Sequence, residues 1–130
     1  NLEQLSEIIM QNKPEVVLID YIQLITGDKK NLLRNLKNIA MKFDTCLIVT
    51  AQLSRKPEYR PLNDRRPIVS DLMYSGSFFN KKNLTYIDNL TFFYRDHFYN
   101  EKSQKPDEIE LIQYDNGNMK MIRLDWVSLI

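Results

Sequence analysis

The chain has 130 residues, 43% hydrophobic and 27% charged, enough for one soluble domain that buries about two-thirds of its unfolded surface. This composition excludes a disordered tail, a collagen and a disulfide miniprotein. With 18 basic and 17 acidic side chains the formal charge is +1, so no bulk field draws the chain to nucleic acid or anionic lipid, and any such contact must be local.

Leu2, Leu5, Ile8 and Ile9 recur at helical spacing up to Met10, and Pro14 closes the pattern. This predicts a first amphipathic helix with one buried face. Val16-Val17-Leu18-Ile19 is a continuous aliphatic run that reads as a strand covered on both faces, ending at Asp20-Tyr21. Thr26-Gly27-Asp28 makes a loop. Leu32, Leu33, Leu36, Ile39, Ala40 and Phe43 fall on one side of a second helix, and Leu47-Ile48-Val49-Thr50 forms a second buried strand ending near Gln52. Helix, strand, helix, strand implies a parallel sheet. Cys46, the single cysteine, reads as a small buried hydrophobe at the head of that strand, which suits a reducing cytoplasm. No apolar run approaches the ~20 residues of a membrane span. Asn1-Leu2-Glu3-Gln4 has no basic-then-apolar leader, and a chain beginning at Asn reads as cut from something longer.

Pro57, Pro61 and Pro67 break the periodicity from Ser54 to Asn83, so this stretch reads mostly as loop. Within it Ser70-Asp71 is positioned to cap a short helix that closes at Gly76 through a left-handed exit. Ile87 to Tyr94 reads as another strand. Glu108 to Gln113 and Met119 to Leu124 flank Asp115-Asn116-Gly117-Asn118, a strong hairpin signal. The expected fold is therefore α/β, a mainly parallel sheet flanked by helices and ending in an antiparallel hairpin, with residues 1–130 as one partial domain.

A carboxylate directly after four aliphatics puts Asp20 at the carboxyl end of a strand, where open α/β sheets bind ligands. There it can orient the water shell of Mg²⁺ beside nucleotide phosphates; the plain alternative is an Asp that ends a strand and begins a turn. Gln52 holds the equivalent tip of the next strand, able to sense a terminal phosphate or simply to satisfy a strand exit. Arg55, Lys56, Arg60, Arg65 and Arg66 make a basic loop, either a solvated connection or a phosphate contact.

Val17-Leu18-Ile19-Asp20-Tyr21-Ile22-Gln23-Leu24-Ile25 resembles the Walker B segment of the DnaB-type replicative DNA helicases. Three further blocks follow in the family's order: Ala51-Gln52-Leu53-Ser54-Arg55, then Arg66-Pro67-Ile68-Val69-Ser70-Asp71-Leu72 with Ser75-Gly76-Ser77, then Tyr94-Arg95-Asp96. The resemblance implies a RecA-like ATPase domain that works as a hexameric ring. It would use ATP and Mg²⁺ to move along single-stranded DNA and unwind the replication fork. By that resemblance Asp20 holds the magnesium shell, Gln52 couples the terminal phosphate to the DNA-facing loops, and Tyr94 and Arg95 stand beside the nucleotide. Arg66, Ser75 and Gly76 fall in the block that contacts DNA.

The departures are specific. No Gly-x-x-x-x-Gly-Lys-Ser/Thr loop exists, and the three glycines, Gly27, Gly76 and Gly117, leave no place for one. The Walker A half is missing, so nucleotide affinity of the chain alone should be poor. The family's Lys-x-Arg pair, whose arginine reaches the neighbouring subunit's ATP, aligns with Gln113 and Asp115. An Arg-Glu pair expected before Ser-Gly is Met73-Tyr74 here. Between Ser77 and Asp88 the chain is longer than the family pattern; Phe78 and Phe79 there either pack in the core, the preferred reading, or stack on bases. The resulting expectation is a C-terminal part of a DnaB-like helicase motor, cytoplasmic, without a membrane anchor, and inactive as this chain alone. The alternative is a degenerate, non-enzymatic remnant that binds single-stranded DNA or a helicase ring. A recombinase or clock-type RecA relative fits the Ser70-Asp71-Leu72 and Tyr94-Arg95-Asp96 blocks less well.

Overall fold

A computed structural model describes residues 1–62, 65–73, 75–115 and 118–125. Two compact units emerge, one from Asn1–Leu53 with Leu72–Ile87, the other from Ser54–Asp71 with the chain from Asp88 onward.

In the first unit, helix α1 (Leu2–Asn12) starts at a capping box, in which the Asn1 side chain accepts from the Gln4 amide and the Gln4 side chain accepts from the Asn1 amine. It ends at Lys13 in the left-handed conformation, φ 48°. Strand β1 (Val16–Ile19) pairs in parallel with β2 (Cys46–Val49), with Val16 opposite Cys46 and Ile19 opposite Val49. Helix α2 (Leu32–Phe43) makes the crossover and buries Leu32, Leu33, Leu36 and Ile39. It packs on α1, on β2 and on the 3-10 turn Asn83–Tyr86. Asn83, buried, donates to the Lys30 and Phe78 carbonyls at 2.9 and 3.0 Å, which fixes that turn.

Two sequence expectations fail here for one reason. The strands are covered on one face only: Val16 and Leu18 are 55% and 65% exposed, and Ile48, opposite Leu18, is 51% exposed. Cys46 shares that open face and is exposed rather than buried. Continuous aliphatic runs imply two covering layers, but in these strands only Val17, Ile19, Leu47 and Val49 are sheltered, and each is half-buried. The face of α1 is also narrower than its spacing predicts: Leu2, Leu5 and Ile9 line it, while Ile8 points to solvent. Phe78 and Phe79 pack in the core, ring centroids 4.6 Å apart.

Helix α3 (Val69–Leu72) stops four residues before Gly76, earlier than expected. The Asp71 carboxylate accepts from the Ile68 amide at 2.8 Å, so Asp71 caps by reaching back across the first turn. Gly76 is not left-handed; Gly27, φ 111°, is the one described glycine with positive φ. Gly76 is needed instead for close approach, since a Cβ there would lie 2.6 Å from the Phe78 ring.

In the second unit, β3 (Leu90–Tyr94), β4 (Glu108–Asp115) and β5 (Asn118–Asp125) form an antiparallel sheet in the order β3-β4-β5. The expected hairpin is β4–β5, with Asp115 opposite Asn118; its turn, Asn116-Gly117, lies outside the described residues. The strand expected from Ile87 begins at Leu90 and extends the antiparallel sheet, with Phe92 opposite Ile112. Phe92, Tyr94, Glu110 and Ile112 occupy the buried face. Helix α4 (Asp96–Tyr99) follows β3 directly.

Candidate strand-end site

Parallel pairing carries β1 and β2 out of the sheet side by side, so Asp20 and Thr50 follow the paired residues Ile19 and Val49. The Thr50 amide donates to the Ile19 carbonyl at 3.0 Å, and the Thr50 carbonyl accepts from the Ile22 amide at 3.0 Å. Its hydroxyl donates to the exposed Asp20 carboxylate at 2.5 Å. The peptide bond between Asp20 and Tyr21 is cis. The Thr50 hydroxyl holds the exposed Asp20 carboxylate at the carboxyl end of the sheet. Gln52, also exposed, lies two residues beyond Thr50.

Gln23, in the 3-10 turn Ile22–Leu24 that follows Asp20, joins this edge to the Ser75-Gly76 loop. Its amide nitrogen donates to the Gln52 carbonyl at 2.8 Å and to the Ser75 carbonyl at 3.3 Å. Its amide oxygen accepts from the Gln52 backbone at 3.4 Å. The Ser75 amide in turn donates to the Leu72 carbonyl at 2.8 Å. Asp20, Gln52, Ser75 and Gly76, distant in sequence, thus belong to one unit.

Met73, half-buried, also lies in the first unit, and Tyr74 lies outside the described residues; the other predicted residues lie in the second unit, where Arg55 and Lys56 of the basic loop are exposed but Arg60, Arg65 and Arg66 are tied into the fold. Arg66 makes a two-point contact with Glu110, at 2.5 and 2.9 Å, and lies over the Tyr94 ring, 5.0 Å from its centroid. This pairing holds the Glu110 carboxyl below the usual carboxylate range and raises the Arg66 guanidinium. Arg123 approaches Glu110 at 3.5 Å. Arg60 pairs with the buried Asp71, and Arg65 donates to the carbonyls of Arg60 and Tyr99 at 3.0 and 3.3 Å. Tyr94 is 2% exposed; its hydroxyl donates to Asp96 at 3.0 Å and its ring stacks on Tyr99. Burial first, then the Asp96 carboxylate, pushes the Tyr94 hydroxyl up to about 12. Arg95 is exposed and donates to the Pro106 carbonyl at 3.2 and 3.0 Å. Gln113 is half-buried on β4 opposite Thr91, while of Asp115 only the backbone is described.

The model of the DnaB-like helicase C-terminal domain matches residues 2–130. The chain belongs to that family. This DnaB-like domain is 34% identical over 125 residues to the replicative DNA helicase DnaB of Geobacillus stearothermophilus, covering 87% of the chain and 26% of the relative. It is 33% identical over 125 residues to the replicative DNA helicase DnaC of Bacillus subtilis, again over 87% and 26%. Among solved structures, one described as an ATPase domain superposes with a TM-score of 0.82 at 26% identity, covering 96% of the chain and 48% of that structure. A DnaB-like replicative helicase described with its interactions with primase gives 0.78 at 26% identity, over 98% and 33%. The RecA-like fold is thus shown, and the chain spans about a quarter of the length of these curated relatives.

Two residues of this DnaB-like domain escape a reading of motifs. Thr50 gives a weak signal, as a hydroxyl at a strand end paired with an acid-bearing one. Gln23 stands inside the Asp20 block, but nothing in that block marks its partners, which lie 29 and 52 residues away.

Proposed function

We propose that this chain forms the Walker B-to-hairpin part of a DnaB-like replicative helicase motor, a cytoplasmic hexamer using ATP to move on single-stranded DNA. We infer also that the chain by itself does not hydrolyse ATP. One observation carries the reading: Asp20 and Gln52 leave neighbouring parallel strands at the same edge, with Asp20 held by the Thr50 hydroxyl. A carboxylate so held suits outer-shell contact to Mg²⁺, a cation that keeps several waters and binds through one or two carboxylates plus substrate phosphates.

The residues present do not fit a complete Mg²⁺–nucleotide site. The sequence has no glycine-rich phosphate loop, and no group of three or more His, Cys, Asp or Glu able to hold a metal occurs among the described residues. Asp20 and Gln52 are therefore a partial edge, and no catalytic step is assigned to the chain alone. The Ser75-Gly76 backbone is the proposed contact for single-stranded DNA. In the second unit Arg66 is a separate proposed contact, through the third of its side chain that Glu110 leaves in solvent, 36%. Arg95 is the exposed member of the nucleotide-side block, and buried Tyr94 acts by positioning it.

Gln113, where the family places a cation, favours the second reading, a non-enzymatic remnant that binds single-stranded DNA or a helicase ring. Calorimetric titration of the folded chain with a non-hydrolysable ATP analogue and Mg²⁺ tests the leading reading. No binding is expected. Micromolar binding abolished by Asp20→Asn would show a functioning pocket and overturn it.

A further inference from the structure

The amide of Gln23 touches both the strand-end residue Gln52 and the Ser75-Gly76 loop. A primary amide can do this because it donates and accepts through one planar group. Donation to two carbonyls ties both segments to one side chain. Gln23 itself is anchored: its backbone carbonyl accepts from the Lys29 ammonium at 2.9 Å, and Lys29 also binds the Ile25 carbonyl. The preceding Ile22 is fully buried and its amide donates to Thr50. The linker is thus held at its base and bonded at both ends, a contiguous hydrogen-bonded route between the two loops whose coupling is open to a direct test.

We propose that Gln23 is a positioning residue that makes the Gln52 strand end and the Ser75-Gly76 loop move as one. Its use in the motor rests on the reading of Gln52 as phosphate sensor and Ser75-Gly76 as DNA contact, whereas the mechanical link does not. Gln23→Met keeps length and volume but removes both donors and the acceptor. Gln23→Glu keeps an acceptor for the Gln52 amide and turns the contacts to both carbonyls repulsive.

The test is amide NMR of the whole 130-residue chain. Displacing the loop by Gly76→Ala, which drives a methyl against the Phe78 ring, should shift the Gln52 amide resonance in the parent background. In the Gln23→Met background that shift should be lost while Ser77 and Phe78 still respond. A Gln52 resonance that ignores the loop displacement in the parent, or follows it equally without Gln23, overturns the link. Should the double variant not fold, Phe78→Leu supplies a milder displacement and Gln23→Glu the second background. A separate titration with (dT)20 should move Ser75 and Gly76 amides in both backgrounds and Gln52 only in the parent. Silence of Ser75 and Gly76 would refute the DNA reading alone, leaving the link decided by the DNA-free comparison.

Discussion

Replacing Arg66 by Met removes a guanidinium from a carboxylate whose side chain is 5% exposed, while keeping most of the aliphatic volume. Removing one partner of a fully buried pair costs about 3–5 kcal/mol, because the remaining charge stays desolvated. Two features reduce this: Arg66 is 36% exposed, and Arg123 remains 3.5 Å from Glu110. A loss of about 2–3 kcal/mol is expected at neutral pH, each charge-assisted hydrogen bond contributing about 1.5–3 kcal/mol at most. In urea this lowers the unfolding midpoint by about 1–2 M. The pH dependence follows from Glu110, whose folded-state pKa is depressed below its ordinary value of 4.5, chiefly by the Arg66 hydrogen bond. Its contribution in the parent is present above that value and lost as pH falls through the depressed one. In Arg66→Met the carboxyl protonates more readily, which relieves the buried charge. The gap between parent and variant should therefore be wide at pH 7 and narrow below about 4.5. Circular dichroism during urea titration at both pH values measures it. Equal midpoints at neutral pH, or a gap that persists in acid, would refute the assignment of Arg66 and Glu110 as a buried pair. Arg66→Met with Glu110→Leu should regain part of the loss, since Arg123, 55% exposed, stays hydrated and keeps Glu108 as a partner at 3.5 Å.

Cys46 should react with a thiol reagent in the native chain at a rate close to that in urea, since it lies on the open face of β2; protection of more than about tenfold would mean that face is covered, as measured by absorbance of the released thiolate. Gly76→Ala should destabilise by about 1–3 kcal/mol through overpacking against Phe78, which is 4% exposed; an unchanged urea midpoint would show that the ring moves aside freely. Tyr94, with its hydroxyl raised to about 12, contributes stability that is complete below about pH 10 and lost as pH rises toward 12. Tyr94→Phe should accordingly show a shallower decline over that window, and parallel declines would place the ionising tyrosine elsewhere.

Much of the scaffold is legible in the sequence because it is encoded over short distances. The Leu32, Leu36 and Ile39 spacing marks α2, the aliphatic runs mark β1 and β2, and the pattern around 115–118 marks the β4–β5 pairing. The placement of Asp20 and Gln52 at one edge also follows, since helix-crossed parallel strands run the same way. Two residues of the basic loop, Arg60 and Arg66, differ in kind from the sequence reading: composition shows where arginines are abundant, but the carboxylates that bind these two, Asp71 and Glu110, lie 11 and 44 residues on.

By itself the sequence determined the alternation of helix and strand, the strand-end acid and amide, and the ordered blocks shared with the DnaB-like domains. Each is set by local hydrophobic period or by residue identity at fixed spacing. The tertiary structure alone decided that β1 and β2 leave one aliphatic face open and that β3 joins the antiparallel sheet. It also decided that Gly76 serves a ring rather than a turn, and that Gln23 bridges two segments of the site. These depend on which surfaces meet after the chain has folded back on itself, and residues 29, 44 or 52 positions apart carry no mark of one another in a linear pattern.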